Sequence, residues 1–323
     1  MACDKPSNTT AEMQHLGTLC FKCGRRVKDV SVEQDPFGRS YRAGRISDEE
    51  TARRMLRVAS DRVNREGLRV SFDLLRFEDL IAEAGVARSA VYRRWETKGH
   101  FYADLLLELA GHDHPAIAAY DEGTVTLAIR QALEHLELLR TEDGRRLLTV
   151  ELCRLGALQN FAALVSSREW PVYVTLTATL AGLPDTEFRS SLQTALAKSE
   201  QGFLGKMAAF YEMMFRVLGY RLRPELEDVT SEVLAQLGAA AVEGIALNNI
   251  AMPEIAARRF QIDPFNTGKT AEWSLAGVGF TSIALLLVEQ DPEHSGDWSD
   301  DVLEERRALL ESWENLASDA EEE

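Results

Sequence analysis

The chain has 323 residues, of which 45% are hydrophobic, and it carries a formal net charge of −16. A chain of this size and composition can bury a core large enough to fold without disulfides or a structural metal. The longest apolar run, residues 274–288, is shorter than the roughly 20 residues that cross a membrane. No basic segment followed by an apolar stretch indicates a signal peptide. With only four cysteines, these features predict a cytoplasmic protein that does not contact a membrane.

The charge is distributed unevenly along the chain. The net charge is zero over residues 1–38, +3 over residues 39–104 and −19 over residues 105–323. Such asymmetry is typical of a segment that binds nucleic acid and is joined to an acidic body. An acidic surface that serves solubility alone explains the same charges equally well.

A helix-start signal marks the boundary between the N-terminal segment and the first helix. Residues 1–46 are rich in turn formers and lack periodic apolar residues, which predicts a flexible tail. The first helix is expected to begin after Ser47, because Glu50 follows three residues later and completes a capping box. Gly67 is expected to end this helix, since glycine is the preferred residue just past a helix C-terminus.

Two short helices around a tight turn are expected next. The second helix covers Arg76–Glu83, and Gly85 in the following turn can adopt a positive φ. The third helix covers Arg88–Trp95. Thr97 is then a possible N-cap for a fourth helix that ends near Gly111.

The rest of the chain predicts further helices and no strands. The candidate helices cover residues 122–140, 144–158, 167–182, 186–218, 225–249, 270–289 and 299–318. Because no stretch alternates convincingly with period two, we expect an all-α fold. We expect a three-helix head over residues 47–108 and a larger helical body over residues 109–323, which ends in an acidic segment.

The third helix has two different faces. At 100° per residue, Val91 and Trp95 fall on one apolar stripe, and Ser89 and Arg93 face the opposite way. Tyr92 lies on a flank. A short helix with this layout, preceded by a helix and a glycine-containing turn, predicts a helix-turn-helix motif. The second helix of such a motif fits the major groove of DNA, where arginine can bind guanine or a phosphate.

The run "DLIAEAGVARSAVYRRWETKGHFYADLL" resembles the DNA-binding head of the TetR family of transcriptional regulators. Leu80 and Ile81 match the apolar positions of the second helix, and residues 84–86 match the turn. The tyrosine at position 92, the final aromatic Trp95 and the lysine that follows also match. The resemblance covers about residues 47–108, with each element in order and at the expected spacing.

The resemblance implies roles for the matching residues. Ser89, Tyr92 and Arg93 would meet base edges or nearby phosphates, and Arg94 and Lys98 would meet phosphates. Lys98 would act together with the N–H groups at the start of the fourth helix, which also favour a phosphate. The full set of candidate DNA-binding residues is Arg76, Arg88, Ser89, Tyr92, Arg93, Arg94 and Lys98.

Two positions and one link depart from the family pattern. Ala87 stands where a serine commonly caps the third helix, so a cap contribution of about 1 kcal/mol is lost. Arg76 stands where a serine or threonine often caps the second helix, and Asp73 is an alternative cap. The link between the first two helices is also a few residues longer than usual.

The family resemblance implies a body that dimerises. Residues 231–249 contain small side chains that permit close helix packing, and together with residues 270–289 they form the candidate homodimer interface. The small residues are Ala235, Gly238, Ala239 and Ala241. A core formed within one chain explains them equally well.

The resemblance also implies that the body often holds a small molecule. A wall rich in aromatic residues and methionine suits an adaptable apolar pocket, although an ordinary core is the commoner explanation. The expected ligand is small and hydrophobic. The candidate pocket residues are Trp170, Tyr173, Phe203, Met207, Phe210, Tyr211 and Met214.

The cysteines offer a different kind of sensor. Cys20 and Cys23 form a Cys-x-x-Cys pair, which with Cys3 and His15 could bind zinc or act as a redox switch. A reduced, unstructured pair explains the same residues better, so we expect no metal. No nucleophile with its base and no glycine-rich phosphate loop is present, so we expect neither catalysis nor a cofactor.

Together these features predict a dimeric DNA-binding regulator, most simply a repressor that binds a near-palindromic operator and is released by a hydrophobic ligand. A thiol- or zinc-responsive regulator that senses through its N-terminal segment is one alternative. An adaptor that binds a protein partner with a TetR-like fold is another.

Overall fold

The computed structural model describes residues 46–68, 75–111 and 122–320, with their helices in one unit, Ser47–Glu323. The first four helices begin and end close to where the sequence predicts. The Ser47 Oγ accepts a hydrogen bond from the Glu50 amide at 3.0 Å, and Gly67 adopts a φ of 83°. The helices are α1 (Asp48–Glu66), α2 (Phe77–Glu83), α3 (Arg88–Arg94) and α4 (Lys98–Gly111). The expected flexible tail lies outside the described residues.

The body contains eight further described helices, most of which begin at a side-chain cap. Thr141, Thr186, Thr230 and Ser274 each accept a hydrogen bond from an amide in the first turn of the helix that follows. The helices are α5 (Glu122–Glu134), α6 (Glu142–Ser166), α7 (Glu169–Gly182), α8 (Glu187–Leu218), α9 (Ser231–Ala251), α10 (Pro253–Ala257), α11 (Leu275–Leu287) and α12 (Asp300–Ala320). Short 3-10 turns cover Leu136–Arg140 and Pro292–His294.

The fold is mostly helical, but two small antiparallel sheets correct the expectation of a purely α-helical chain. Strand β1 (Tyr220–Leu222) pairs with β4 (Val288–Gln290), and β2 (Phe260–Ile262) pairs with β3 (Ala271–Trp273). Each strand has three residues, which is too short for an alternating pattern to be recognised. Residues 270–289, predicted as one helix, therefore contain β3, α11 and the beginning of β4.

Packing connects the first helices to the body. Helix α1 contacts α2, α3, α4 and α7, and α4 also packs along α8. Two apolar clusters lie in the part of the body that the structure describes. One includes Leu148, Val217 and Leu287, and the other includes Phe161 and Leu164.

A buried arginine fixes the segment before α12. Arg145 is 1% exposed. Its guanidinium donates to the backbone carbonyls of Leu139 at 3.0 Å, His294 at 3.2 Å and Gly296 at 3.0 Å. It also lies 4.5 Å from the ring centroid of Trp298, which has Arg306 as a second cation neighbour at 5.3 Å. Burial lowers the pKa of Arg145.

Helices α6 and α9 are long and apolar enough to cross a membrane by length and composition. Core helices of soluble proteins have the same length and composition. Helix α6 packs against α5, α9 and α11, as a core helix does.

Candidate nucleic-acid interface and internal cavity

The two faces of α3 lie where the sequence predicts. Val91 and Trp95 are 0% and 1% exposed. Ser89 and Arg93 are exposed on the opposite side, and Tyr92 is half-buried. The buried stripe attaches α3 to its neighbours and leaves the polar face open.

An aromatic cluster holds α3 in place. Trp95 packs edge-on against Phe101 at 5.0 Å between ring centroids, and its indole N–H donates to Asp104 at 2.8 Å. Phe77 of α2 contacts both Tyr92 and Phe101, at 5.8 and 5.1 Å. Because the cluster joins α2, α3 and α4, it sets the angle at which α3 leaves the turn. That turn contains Gly85 with a φ of 63°, a conformation that glycine adopts without strain.

Each arginine of α3 pairs with a carboxylate from another helix. Arg88 donates to Glu78 at 3.0 Å, and the Tyr92 hydroxyl donates to the same oxygen at 3.1 Å. The Arg93 guanidinium donates to both carboxylate oxygens of Asp48, from its Nε at 3.1 Å and from its Nη2. These hydrogen bonds raise the pKa of Arg93. Arg94 binds Asp104 at 3.2 Å. Exposed pairs of this kind contribute about 1 kcal/mol or less, so a phosphate can replace the carboxylate.

The remaining two candidate residues lie at helix starts. Arg76 is exposed at the N-cap of α2 and provides no side-chain cap. Lys98 is the first residue of α4, and its ammonium lies 6.0 Å from the Phe77 ring centroid. Thr97 caps this helix by accepting from the His100 amide at 3.3 Å. The alternative cap Asp73 lies outside the described residues.

The missing cap at Ala87 gives a direct test. Ala87 has extended backbone angles and no side-chain cap hydrogen bond. The Ala87→Ser variant should therefore be about 1 kcal/mol more stable in urea unfolding. The matched control is Ala82→Ser, at an exposed position inside α2, which should be destabilised by a few tenths of a kcal/mol because serine is a poorer helix former. Equal effects at the two positions would contradict the capping argument.

The body contains an apolar cavity of about 130 Å³. A water molecule needs roughly 15 Å³ of such space, so this is more than a packing defect. Most of the residues that line it come from α5, α6, α8, α9 and α11. Of the predicted pocket residues, those on α8 line the cavity: Phe203, Met207, Phe210, Tyr211 and Met214.

Of the predicted pocket residues, Trp170 and Tyr173 do not line this cavity. They stack on each other at 5.6 Å in the neighbouring apolar cluster. Tyr173 donates a hydrogen bond to Glu200. Burial and the charge of Glu200 raise the pKa of Glu243 to about 7.

This carboxyl group should make stability depend on pH. The folded protein retains a proton on Glu243 that the unfolded chain releases above its ordinary pKa of 4.5. Stability is therefore lost as pH rises through the window from about 4.5 to 7. Glu243→Gln should be about 2 kcal/mol more stable than the wild type at pH 8 and nearly equal to it at pH 4.5, measured by urea unfolding. Glu212→Gln, at an exposed position on α8, is the control, and it should show no such pH-dependent gain.

Several cavity residues could not be found from the sequence, because they come from separate elements and form no motif. They bring neutral polar groups into the lining: Thr124, Thr149, Cys153, Asn160 and Tyr220. Burial raises the pKa of the Cys153 thiol to about 12. This thiol therefore stays protonated at neutral pH and is a weak nucleophile.

The small residues of α9 pack within the chain. Ala235 is 1% exposed, and a Cβ at Gly238 would approach the Phe280 ring of α11 to 2.6 Å. These two residues are thus part of the core formed within one chain. The exposed apolar side chains of the pair are different ones: Leu237, Leu247 and Ile250 on α9 and Leu286 on α11.

Cys3, His15, Cys20 and Cys23 lie outside the described residues. Within residues 46–68, 75–111 and 122–320, no group of three or more His, Cys, Asp or Glu side chains could hold a metal ion. Comparison with known proteins finds no match: no family model, curated protein or solved structure is significantly similar to this chain.

Proposed function

We propose that this protein is a sequence-specific DNA-binding regulator of transcription with a TetR-like head and a ligand-responsive helical body. The observation that carries the proposal is the geometry of α2, the turn and α3. A short helix is fixed by Val91 and Trp95 and presents Ser89 and Arg93 outward. This arrangement suits entry into a major groove, where arginine binds guanine edges or phosphates.

Charge supports the same assignment. The segment that contains these helices has a net charge of +3, and the chain after it has −19. An acidic body repels DNA, so binding would be directed through the head. The carboxylates that pair with the α3 arginines would be replaced by phosphates in the complex.

A homodimer fits the exposed apolar residues of α9 and α11. Leu237, Leu247 and Leu286 are 44%, 50% and 69% exposed. A two-fold pairing of these surfaces would bury them and place two copies of α3 on successive half-sites of a near-palindromic operator.

The cavity supports a response to a ligand. Helix α8 lines the cavity and also packs against α4, which carries Lys98 and holds Trp95 through Asp104. A ligand that prefers one position of α8 would shift the population of head positions and release the operator. Repression relieved by an apolar ligand is the simplest form of this response.

Binding of the full chain to its own upstream DNA tests the proposal. We expect tight binding that survives an excess of unrelated DNA and weakens steeply between two salt concentrations. Binding no tighter than to the competitor would overturn sequence-specific recognition at that site and favour an adaptor for a protein partner. Sedimentation of the same sample tests the dimer, and Leu247→Glu with Leu286→Glu should yield monomers.

Removing the carboxylate that binds Arg93 should strengthen DNA binding. Asp48→Asn leaves the Arg93 guanidinium without its charged partner and removes one negative charge from the head. We expect operator affinity to rise about three- to tenfold at low salt, with a smaller gain at high salt. Glu314→Gln, which removes the partner of the exposed Arg130 in the body, should leave the affinity unchanged.

A further inference from the structure

The residues that line the cavity extend along two helices. Its lining extends from Phe203 to Leu218 on α8 and from Thr149 to Asn160 on α6. At 1.5 Å per residue these stretches are about 22 and 16 Å long. A volume of about 130 Å³ distributed over that length leaves a narrow channel. Such a shape fits an extended hydrocarbon chain better than a compact ring system.

The channel has two distinct ends. Asn160 lies at the end occupied by Phe203 and Ala157, which belong to one apolar cluster. Thr149 and Tyr220 lie at the other end. All the lining side chains are uncharged, so the channel itself would hold an apolar chain.

A polar cleft lies behind the Tyr220 end. Phe215 and Tyr220 line both spaces, so the cleft adjoins the channel at these two residues. The other residues of the cleft are charged or titratable: Arg216, Asp291, His294, Glu305 and Arg306.

Arg306 is the residue that indicates a ligand. It is 8% exposed, and its buried Nε has no hydrogen-bond partner among the described residues. Its Nη1 donates to Glu305 at 2.9 Å. A buried guanidinium N–H without a partner is costly, and an anionic oxygen would satisfy it.

The carboxylates of the cleft already have partners. Asp291 accepts from the Glu293 amide at 3.0 Å and lies 3.8 Å from the Arg221 Nη1. Glu305 accepts from Arg306. The exposed Arg216 adds a further positive charge. The two guanidinium groups and the two carboxylates of the cleft balance in charge, so the unpartnered Arg306 Nε is the group that an added carboxylate would satisfy.

We propose that the body binds a straight-chain carboxylic acid, with its hydrocarbon chain along α8 and its carboxylate in the cleft with Arg306 and Arg216. The chain leaves the channel between Phe215 and Tyr220. Only the effect of the ligand depends on the proposed function, in which such an acid would release the protein from its operator. Binding itself does not depend on DNA.

Calorimetry with the full chain, without DNA, tests the ligand class. Decanoate, undecanoate and dodecanoate should bind with affinities that rise about fourfold for each added methylene. Dodecanol should bind about tenfold more weakly than dodecanoate, because it lacks the charge that Arg306 and Arg216 recognise. Tighter binding of the compact adamantane carboxylate would overturn the channel argument, and equal binding of alcohol and acid would overturn the role of the cleft.

Variants locate the binding site. Gly156 lines the channel and has room for a Cβ, whose nearest neighbour would be the Thr124 Cγ2 at 3.8 Å. Gly156→Leu should fill the channel and reduce dodecanoate affinity more than tenfold, and the protein should remain folded because leucine is a better helix former. Gly205→Leu, at an exposed position of α8, is the matched control. Unchanged affinity in Gly156→Leu would overturn the assignment of the chain to this channel.

The contact with the ligand carboxylate has its own test. Arg216→Gln, an exposed change, should weaken dodecanoate binding several-fold and leave dodecanol binding unchanged. An equal effect on acid and alcohol would overturn the charge contact. If dodecanoate binds but no operator is found, the ligand site stands and the proposed function fails. If the operator binds but dodecanoate does not, the reverse holds.

Discussion

Replacing Arg145 with alanine should lower the free energy of unfolding by about 3–5 kcal/mol. The substitution removes donors from three backbone carbonyls and the cation that packs on Trp298. It also leaves a cavity, because the side chain is fully enclosed. Alanine has no side-chain donor for these carbonyls, so the segment around Gly296 and Trp298 should become less well ordered.

Urea unfolding followed by tryptophan fluorescence measures this loss. The neighbouring Arg146 is the matched control, since it is exposed and makes one hydrogen bond to the Phe265 carbonyl at 2.8 Å. Arg146→Ala should cost less than about 1 kcal/mol. Similar losses in the two variants would show that the burial of Arg145 does not determine its contribution to the free energy of unfolding.

The double variant Tyr92→Phe with Arg93→Ala should reduce specific operator affinity about 100-fold. Arg93 would lose its contact with a base edge or phosphate, and Tyr92 would lose its hydroxyl. Phenylalanine at position 92 keeps the ring that packs on Phe77 at 5.8 Å between centroids. The loss should therefore come from the DNA contact and leave the fold intact.

Competition binding against unrelated DNA measures this effect, and circular dichroism checks the fold. Arg130→Ala is the control. Arg130 is exposed and forms an ion pair with Glu314 at 3.0 Å, much as Arg93 does with Asp48, but it lies in the body. Retained specificity in the double variant would show that α3 does not read the operator.

Local signals in the sequence predict much of the helical structure. Ser47 and Thr97 were identified as caps from their residue types and positions, and both accept the expected amide hydrogen bonds. The faces of α3 follow from its periodicity alone. Thr230 carried a comparable signal, although the predicted start of α9 at residue 225 was too early, and the helix begins after that cap.

Features that depend on distant contacts could not be predicted in this way. Strand β3 is short, and Arg154 of α6 donates to the Glu272 carbonyl within it at 2.7 Å, a contact between positions far apart in the chain. Trp170 resembles the pocket residues in type but lies in a separate cluster. The carboxylates that pair with the α3 arginines also come from three other helices, with no pattern that marks them.

A ligand in the channel would change the stability of the protein itself. Contacts that fill core space contribute about 24 cal/mol per Å³, so a molecule that fills about 130 Å³ would add about 3 kcal/mol of packing energy. That is a large share of the 5–15 kcal/mol that typically separates folded from unfolded chains. Such a molecule would act as an additional part of the core. The abundance of the protein in a cell could then follow the supply of its ligand, because the filled form would unfold and be degraded less often.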